Sequence, residues 1–357
     1  MLLSIARPIW ARSNGASRGR SAGNSIVELM VAITAGLIIL AGLVTLFADN
    51  SRARAEIDRA NQQIENGRYA LSLLQDELHN AGYLAEFNPA VLATPGAYPD
   101  PCDTSVAGLN AAAPIAVQGF DQGAGAPGCL SDLRPGTDIL VVRRASNCAV
   151  GDPGCDGYLT GHAYLQASAC DNPSELASGN VATYYVLDTN TANLSLHQKD
   201  CATAAGWHQY HVNIYFIAND DKAADGIPTL KRAELGAGAF NIVPLVEGVE
   251  NMQIEYGLDT SVPTTGAPAI YTADPNTYNS CIPSVCLSYW RNTVAATLYL
   301  LTRSTSTTQG YTDTKIYYMG LNADGSENTV GPFADGYRRH LFVSSVRLNN
   351  PSGRNTQ

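Results

Sequence analysis

The chain is 357 residues long, 45% hydrophobic and 15% charged, with a formal net charge of −10. That composition excludes a disordered polymer and gives ample length for a buried core, in one large domain or two modest ones. Residues 1–23 hold Arg7, Arg12, Arg18 and Arg20 and no acid, so the remainder is more acidic than the whole. Such a body repels a phosphate backbone, and nucleic acid is not an expected partner.

The first predicted element runs from Ser25 to Phe47, SIVELMVAITAGLIILAGLVTLF, 23 residues whose single charge is Glu28. A bilayer core needs about 20 apolar residues of helix, so this stretch is long enough to span. A secretory signal peptide has a shorter apolar region, of about 7–15 residues, closed by a small-x-small cleavage site. A core helix seldom stays apolar on all sides for so many turns. The basic leader against an acidic body predicts a cytoplasmic N-terminus with the rest outside. Glu28 lies near the helix start, where it either snorkels to the interface or awaits a positive partner. Ala32 with Gly36, and Ala41 with Gly42, are small enough to let helices approach closely.

The residues Gly23-Asn24-Ser25-Ile26-Val27-Glu28-Leu29 resemble the prepilin cleavage motif of type IV pilins and pseudopilins, with a class III leader peptide. The resemblance implies that prepilin peptidase cuts after Gly23. Asn24 then becomes the methylated N-terminus, and Glu28 is the retained assembly charge. The family usually has Phe where this sequence has Asn24. A cut before the apolar run leaves the mature chain anchored and creates a terminal ammonium. Glu28 of a neighbouring subunit can supply its counter-charge, which offsets the burial of both.

No proline occurs between Pro8 and Pro89, and helical spacing continues past Phe47 into polar sequence. Ile57, Ile64, Leu71 and Leu78 recur every seventh residue, and Ala60, Gly67, Leu74 and Ala81 follow each by three. The stripe predicts a coiled coil or a helix laid on a sheet; small residues such as Gly67 favour the sheet. Gly82 is a stop signal, and the predicted helix runs from about Ser25 to Leu84.

Beyond Leu84 the apolar period shifts to two. Predicted strands are Thr137–Arg144, Val181–Leu187, Leu194–Gln198, Trp207–Ala218, Thr229–Leu235, Val249–Leu258, Thr293–Arg303, Lys315–Met319 and His340–Leu348. Residues 88–136 and 259–292 read as long surface loops. In Val249–Leu258 the Met252, Ile254 and Tyr256 side is the expected core face, opposite Val249, Asn251, Gln253 and Glu255. Thr293–Arg303 reads as a central strand covered on both sides. The expected fold class is α+β, pilin-like: a long N-terminal helix, membrane half plus amphipathic half, packed on a mainly antiparallel β-sheet head. The expected division is a cytoplasmic leader 1–23, a transmembrane helix 24–48, an amphipathic periplasmic helix 49–84 and a β-rich head 85–357.

Five stretches, in order, are similar to the PilW-type minor pilins: Gly67–Tyr83, the GTDILVVRR run from Gly136, Leu245–Asp259, Trp290–Ser304 and Tyr337–Asn350. The resemblance implies a low-abundance type IV pilus subunit that initiates assembly, near the pilus tip. Its implied partners are other minor and major pilins through the N-terminal helix, prepilin peptidase, the inner-membrane assembly machinery and a tip adhesin. The implied location is a single-pass inner-membrane protein with a periplasmic head, later extracellular in the pilus. A minor pseudopilin of type II secretion shares the leader and helix, and an adhesive subunit displayed on the pilus is a further alternative.

All eight cysteines, Cys102, Cys129, Cys148, Cys155, Cys170, Cys201, Cys281 and Cys286, follow the apolar segment. An even count on the exported side predicts disulfides. Eight cysteines allow 105 pairings, so spacing does not fix connectivity; nearest-neighbour pairing is the expectation, because each bond would pin a loop. No CxxC pair points to zinc, and no metal or other cofactor is expected. His208 and His211, three apart on a strand, fall on opposite faces. No hydrolase, metalloprotease or nucleotide-binding motif stands in its required context, so no catalytic residue is assigned and an enzyme is not expected. Asp220, Asp221 and Asp225 could hold calcium, but an ordinary turn is the favoured reading.

Overall fold

The computed structural model describes residues 23, 25–170, 175 and 185–354. The basic leader and Asn24 lie outside the described residues, as do residues 181–184 of the strand expected at Val181–Leu187. The chain falls into two compact units, Met1–Ala55 and Glu56–Gln357.

One helix, α1, runs from Ile26 to Asn80. It stops at Asn80 rather than Leu84, because the backbone turns over at Gly82 (φ +72°). There the Gly82 amide donates to the Arg143 carbonyl at 2.8 Å. A side chain resists that left-handed conformation; glycine does not.

The elements that follow are α2 (Val106–Ala112), β1 (Val117–Phe120), β2 (Ile139–Ala145), β3 (Tyr164–Ala167), β4 (Tyr185–Asp188) and β5 (His208–Ala218). Next come β6 (Thr229–Leu235), β7 (Phe240–Glu247), β8 (Val249–Leu258), β9 (Ile270–Thr272) and α3 (Pro283–Arg291). The chain closes with β10 (Thr293–Arg303), β11 (Tyr317–Leu321), β12 (Glu327–Val330), β13 (Arg339–Arg347) and α4 (Asn349–Arg354). A seven-stranded sheet has β5 at its centre, paired with β2, β3 and β6, and a four-stranded sheet has the order β13-β10-β8-β9. β11 and β12 form a separate hairpin. The pairings are antiparallel, so the expected α+β, pilin-like class holds.

Hydrophobic burial explains the layering. The runs Ile139–Val142 and Ile214–Ala218 are apolar on both faces because β2 and β5 are covered on both sides. One core joins Leu140, Val142, Tyr215 and Ile217 of the large sheet to Met252, Ile254, Leu298 and Leu300 of the small one, under Ala70, Leu74 and Leu78 of α1. A second core packs Leu84, Phe87 and Leu109 against Ile139, Val141, Ile214 and Phe216. β10 is buried along nearly its whole length, as expected for a central strand.

Several expectations are corrected. Leu194–Gln198 is not a strand: the Gln166 side chain takes the place of a neighbouring strand, accepting from the Leu196 amide (2.9 Å) and donating to its carbonyl (3.1 Å). Residues 88–136 and 259–292 are not merely surface loops, since they contain α2, β1, β9 and α3, with Ile115, Val117, Leu287 and Trp290 buried. These elements span only a few residues each and owe their form to tertiary burial, which local periodicity does not record. On β8 both faces are covered. Opposite Met252, Ile254 and Tyr256, the Gln253 side-chain oxygen accepts from the Asn328 side-chain amide (3.0 Å), and Glu255 accepts from the Leu321 amide (2.9 Å) and the Tyr299 hydroxyl (3.1 Å). The hairpin thus provides a polar lid that alternation alone does not reveal.

Candidate assembly interface

The first unit presents an apolar surface with nothing of its own to bury it. Ile26 is 77% exposed and Phe47 76%, and residues of every helical face between them are open. The helix is long and apolar enough to cross a membrane. Its hydroxyls are satisfied internally, Thr34 on the Met30 carbonyl (2.9 Å) and Thr45 on the Gly42 carbonyl (2.8 Å), as an apolar surround requires. Gly36 and Gly42 have no neighbour within 4 Å of a Cβ position, so any close contact there comes from another molecule.

Gly23 is exposed just ahead of α1, and Ser25 begins it, its carbonyl accepting from the Leu29 amide at 3.1 Å. Glu28 is exposed in the first turn. Ser25 and Glu28 have capping-box spacing, and a carboxylate there meets the positive end of the helix dipole. The sequence reading did not use this Ser-x-x-Glu spacing.

In the second unit the amphipathic part of α1 lies on the sheets and not in a coiled coil. Its buried face is Gln63, Gly67, Ala70, Leu74, Glu77 and Leu78. The row Gly67–Leu74–Ala81 faces inward as expected, but its flank is Gln63–Ala70–Glu77. Ile57 is 59% exposed, and Ile64 and Leu71 are only half-buried. The reason is close approach: the Phe342 ring of β13 rests on Gly67, where a Cβ would overlap it. The buried polar groups are all engaged. Gln63 donates to the Thr302 (2.9 Å) and Arg338 (3.0 Å) carbonyls, and Gln75 donates to the Ser344 hydroxyl at 2.6 Å. Glu77 accepts from Arg144 of β2 (3.1 and 3.2 Å) and from Asn213 of β5 (2.7 Å).

Residues 214–350 match the family described as PilW, Type IV Pilus-assembly protein W. The match over these residues supports a PilW-type member of the type IV pilus family. No curated protein and no solved structure matches it. The PilW-type match runs from within β5 to the start of α4, and includes Leu245–Asp259, Trp290–Ser304 and Tyr337–Asn350. The other two stretches singled out in the sequence, Gly67–Tyr83 and the run from Gly136, lie before it. The fold brings all five together, since Gly67 meets Phe342 and Glu77 meets Arg144. The family implies involvement in type IV pilus assembly and association with its machinery.

The PilW-type segment also carries a buried ion cluster. Arg339 of β13 donates to Glu250 (2.5 Å), Asp313 (3.1 Å) and Asp335 (2.6 Å), and stacks 3.7 Å from the Phe333 ring. Arg134 (3.2 Å) and Arg303 (3.7 Å) also reach Glu250. Three cations against three anions leave the cluster neutral, which is what makes its burial tolerable. Hydrogen bonds from Arg339 hold the Asp335 carboxyl below the usual range.

The remaining candidates are ordinary structure. Disulfides join Cys102–Cys129, Cys148–Cys155, Cys170–Cys201 and Cys281–Cys286, each cysteine with its neighbour in sequence. Asp225 accepts from the Lys222 (3.2 Å) and Ile227 (2.8 Å) amides and Asp220 from that of Ala224 (2.8 Å), so both cap a turn. Burial and the adjacent Arg144 push His211 down to about 4, which leaves it neutral at pH 7. Among the described residues no group of His, Cys, Asp and Glu is arranged to hold a metal ion.

Proposed function

We propose that the chain is a minor pilin that initiates type IV pilus assembly near the pilus tip. It is held in the inner membrane by α1 with its head in the periplasm, and later becomes extracellular in the filament. The supporting observation is a helix whose apolar half is open on every face, with one acid in its first turn, on a PilW-type head. Its partners are other minor and major pilins, which bury that helix, together with the inner-membrane assembly machinery and a tip adhesin. Prepilin peptidase removes residues 1–23, Asn24 becomes the methylated N-terminus, and Glu28 of one subunit faces that ammonium on the next.

Substituting Glu28 separates this reading from local capping, because glutamine completes a capping box but carries no charge. Glu28→Ala and Glu28→Gln should both insert and fold, mature at Asn24 by terminal sequencing, and both cut surface pili sharply. Normal piliation in Glu28→Gln with loss in Glu28→Ala would reduce Glu28 to a cap. A mature N-terminus other than Asn24 would overturn the processing step.

A further inference from the structure

We propose that the free edge of β13 pairs with an extended strand of a partner protein, which brings an acidic residue to Arg347. β13 ends the four-stranded sheet, with β10 on one side and no strand on the other. It pairs with β10 from Ala295 opposite Arg347 to Arg303 opposite Arg339, without a register shift. The phase of the ladder follows from its two ends. The Ser304 amide donates to the Arg338 carbonyl (2.9 Å), and the Leu348 amide to the Val294 carbonyl (2.9 Å). Even-numbered residues of β13 therefore bond to β10, and the amides and carbonyls of Leu341, Val343 and Ser345 point away from the sheet. Among the described residues nothing bonds to those groups. The Arg347 carbonyl points the same way and meets His79 Nδ1 at 3.1 Å.

Sheet edges in native proteins are usually blunted against added strands. Here β1 and β4 are four residues long and β9 three, and β7 carries Pro244 and a register shift against β6. β13 has none of these devices: between His340 and Arg347 it reads LFVSSV, without charge or proline. α1 lies on one of its faces, where Phe342 rests on Gly67 and the Ser344 hydroxyl accepts from Gln75. Val343, 51% exposed, shares the opposite face with Ser345 and Arg347, which are exposed too. A long, regular, uncharged edge suits strand addition, in which backbone groups supply affinity and alternate side chains supply specificity.

The charge of the partner follows from one end of the edge. A hollow of about 450 Å³ opens there, lined in part by Pro268, Tyr271, Ala295, Ser345, Val346 and Arg347. Arg347 Nε donates to the Ser352 hydroxyl at 2.8 Å. Among the described residues its guanidinium forms no ion pair, whereas Arg338 pairs with Glu56, and Arg339 with Glu250, Asp313 and Asp335. The remaining donors of Arg347 suit a carboxylate, and the hollow has room for the side chain that carries it. A second copy of β13 cannot supply that group, because residues 339–347 hold no acid. An acidic strand of another protein can. This surface belongs to the head and does not rest on the assembly role, and its test reads neither pili nor processing.

The test uses full-length protein in detergent at pH 7. The probes are two heptapeptides blocked at both ends, Thr-Val-Thr-Val-Thr-Val-Glu and its counterpart ending in Lys. The Glu peptide should slow amide exchange across residues 339–347 and bind about fivefold more tightly than the Lys peptide. Val343→Pro removes only an outward amide, so the protein should still unfold cooperatively while binding neither peptide. Arg347→Glu, at an exposed position, should fold in any case and reverse the preference. Equal binding of the Glu peptide to wild type and a folded Val343→Pro would overturn the site. So would a lack of exchange protection in wild type, or a preference that Arg347→Glu leaves unchanged. A wild-type dimer in analytical ultracentrifugation that Val343→Pro dissolves would give the edge to a second copy and overturn the proposal.

Discussion

Gly67 sets how closely α1 approaches β13. A helix interior normally disfavours glycine by about 1 kcal/mol relative to alanine, so the residue stands there against local preference. What offsets that cost is the Phe342 ring lying on the bare backbone. Leucine is a good helix former, so Gly67→Leu isolates the steric effect. It should destabilise the head by about 1–3 kcal/mol in chemical denaturation, as overpacking does. Phe342→Ala should restore part of the loss in the double variant, because the leucine then occupies the vacated space. Additive losses would mean that the two positions do not share this contact.

At the scale of elements, the Arg339 cluster ties the chain between β10 and β13 to the start of β8. Arg339→Met leaves Glu250 and Asp313 buried without their main cation and should cost about 3–5 kcal/mol by denaturation. The acid dependence follows the sign of the Asp335 shift. Its folded-state value is depressed, so its contribution is present above the ordinary carboxylate value and is lost as pH falls from there through the lower folded value. Wild type should therefore lose stability on acidification more steeply than Asp335→Asn, in denaturation midpoints followed from pH 6 downward. The element scale also shows what was legible in the sequence. Thr229–Leu235, Val249–Leu258 and Thr293–Arg303 match their strands because pattern and burial agree there. β11 and β12 were blurred or missed, since their partner is a polar β8 face that reads as solvent-exposed. The α1 stripe was legible in period but misplaced in rotation, because buried Gln63 and Glu77 look like surface residues until their partners are known.

For the whole molecule, the four disulfides link residues separated by 27, 7, 31 and 5 positions, so none encloses another. Labelling of denatured, unreduced protein should find few free thiols; labelling of half the cysteines would contradict the framework. Local pairing has a consequence for the order in which contacts form as the chain emerges. A chain delivered N-terminus first completes each covalent loop soon after its second cysteine emerges, without waiting for the rest. The α1 contacts run the other way: Gln75 must wait for Ser344, 269 positions later. Loop bracing can thus precede closure of the head, while the inward face of the helix stays uncovered until the last strand is delivered. A transcript truncated just before Arg339 would therefore yield an oxidised, braced intermediate with a sticky helix, a natural substrate for chaperones and quality-control proteases.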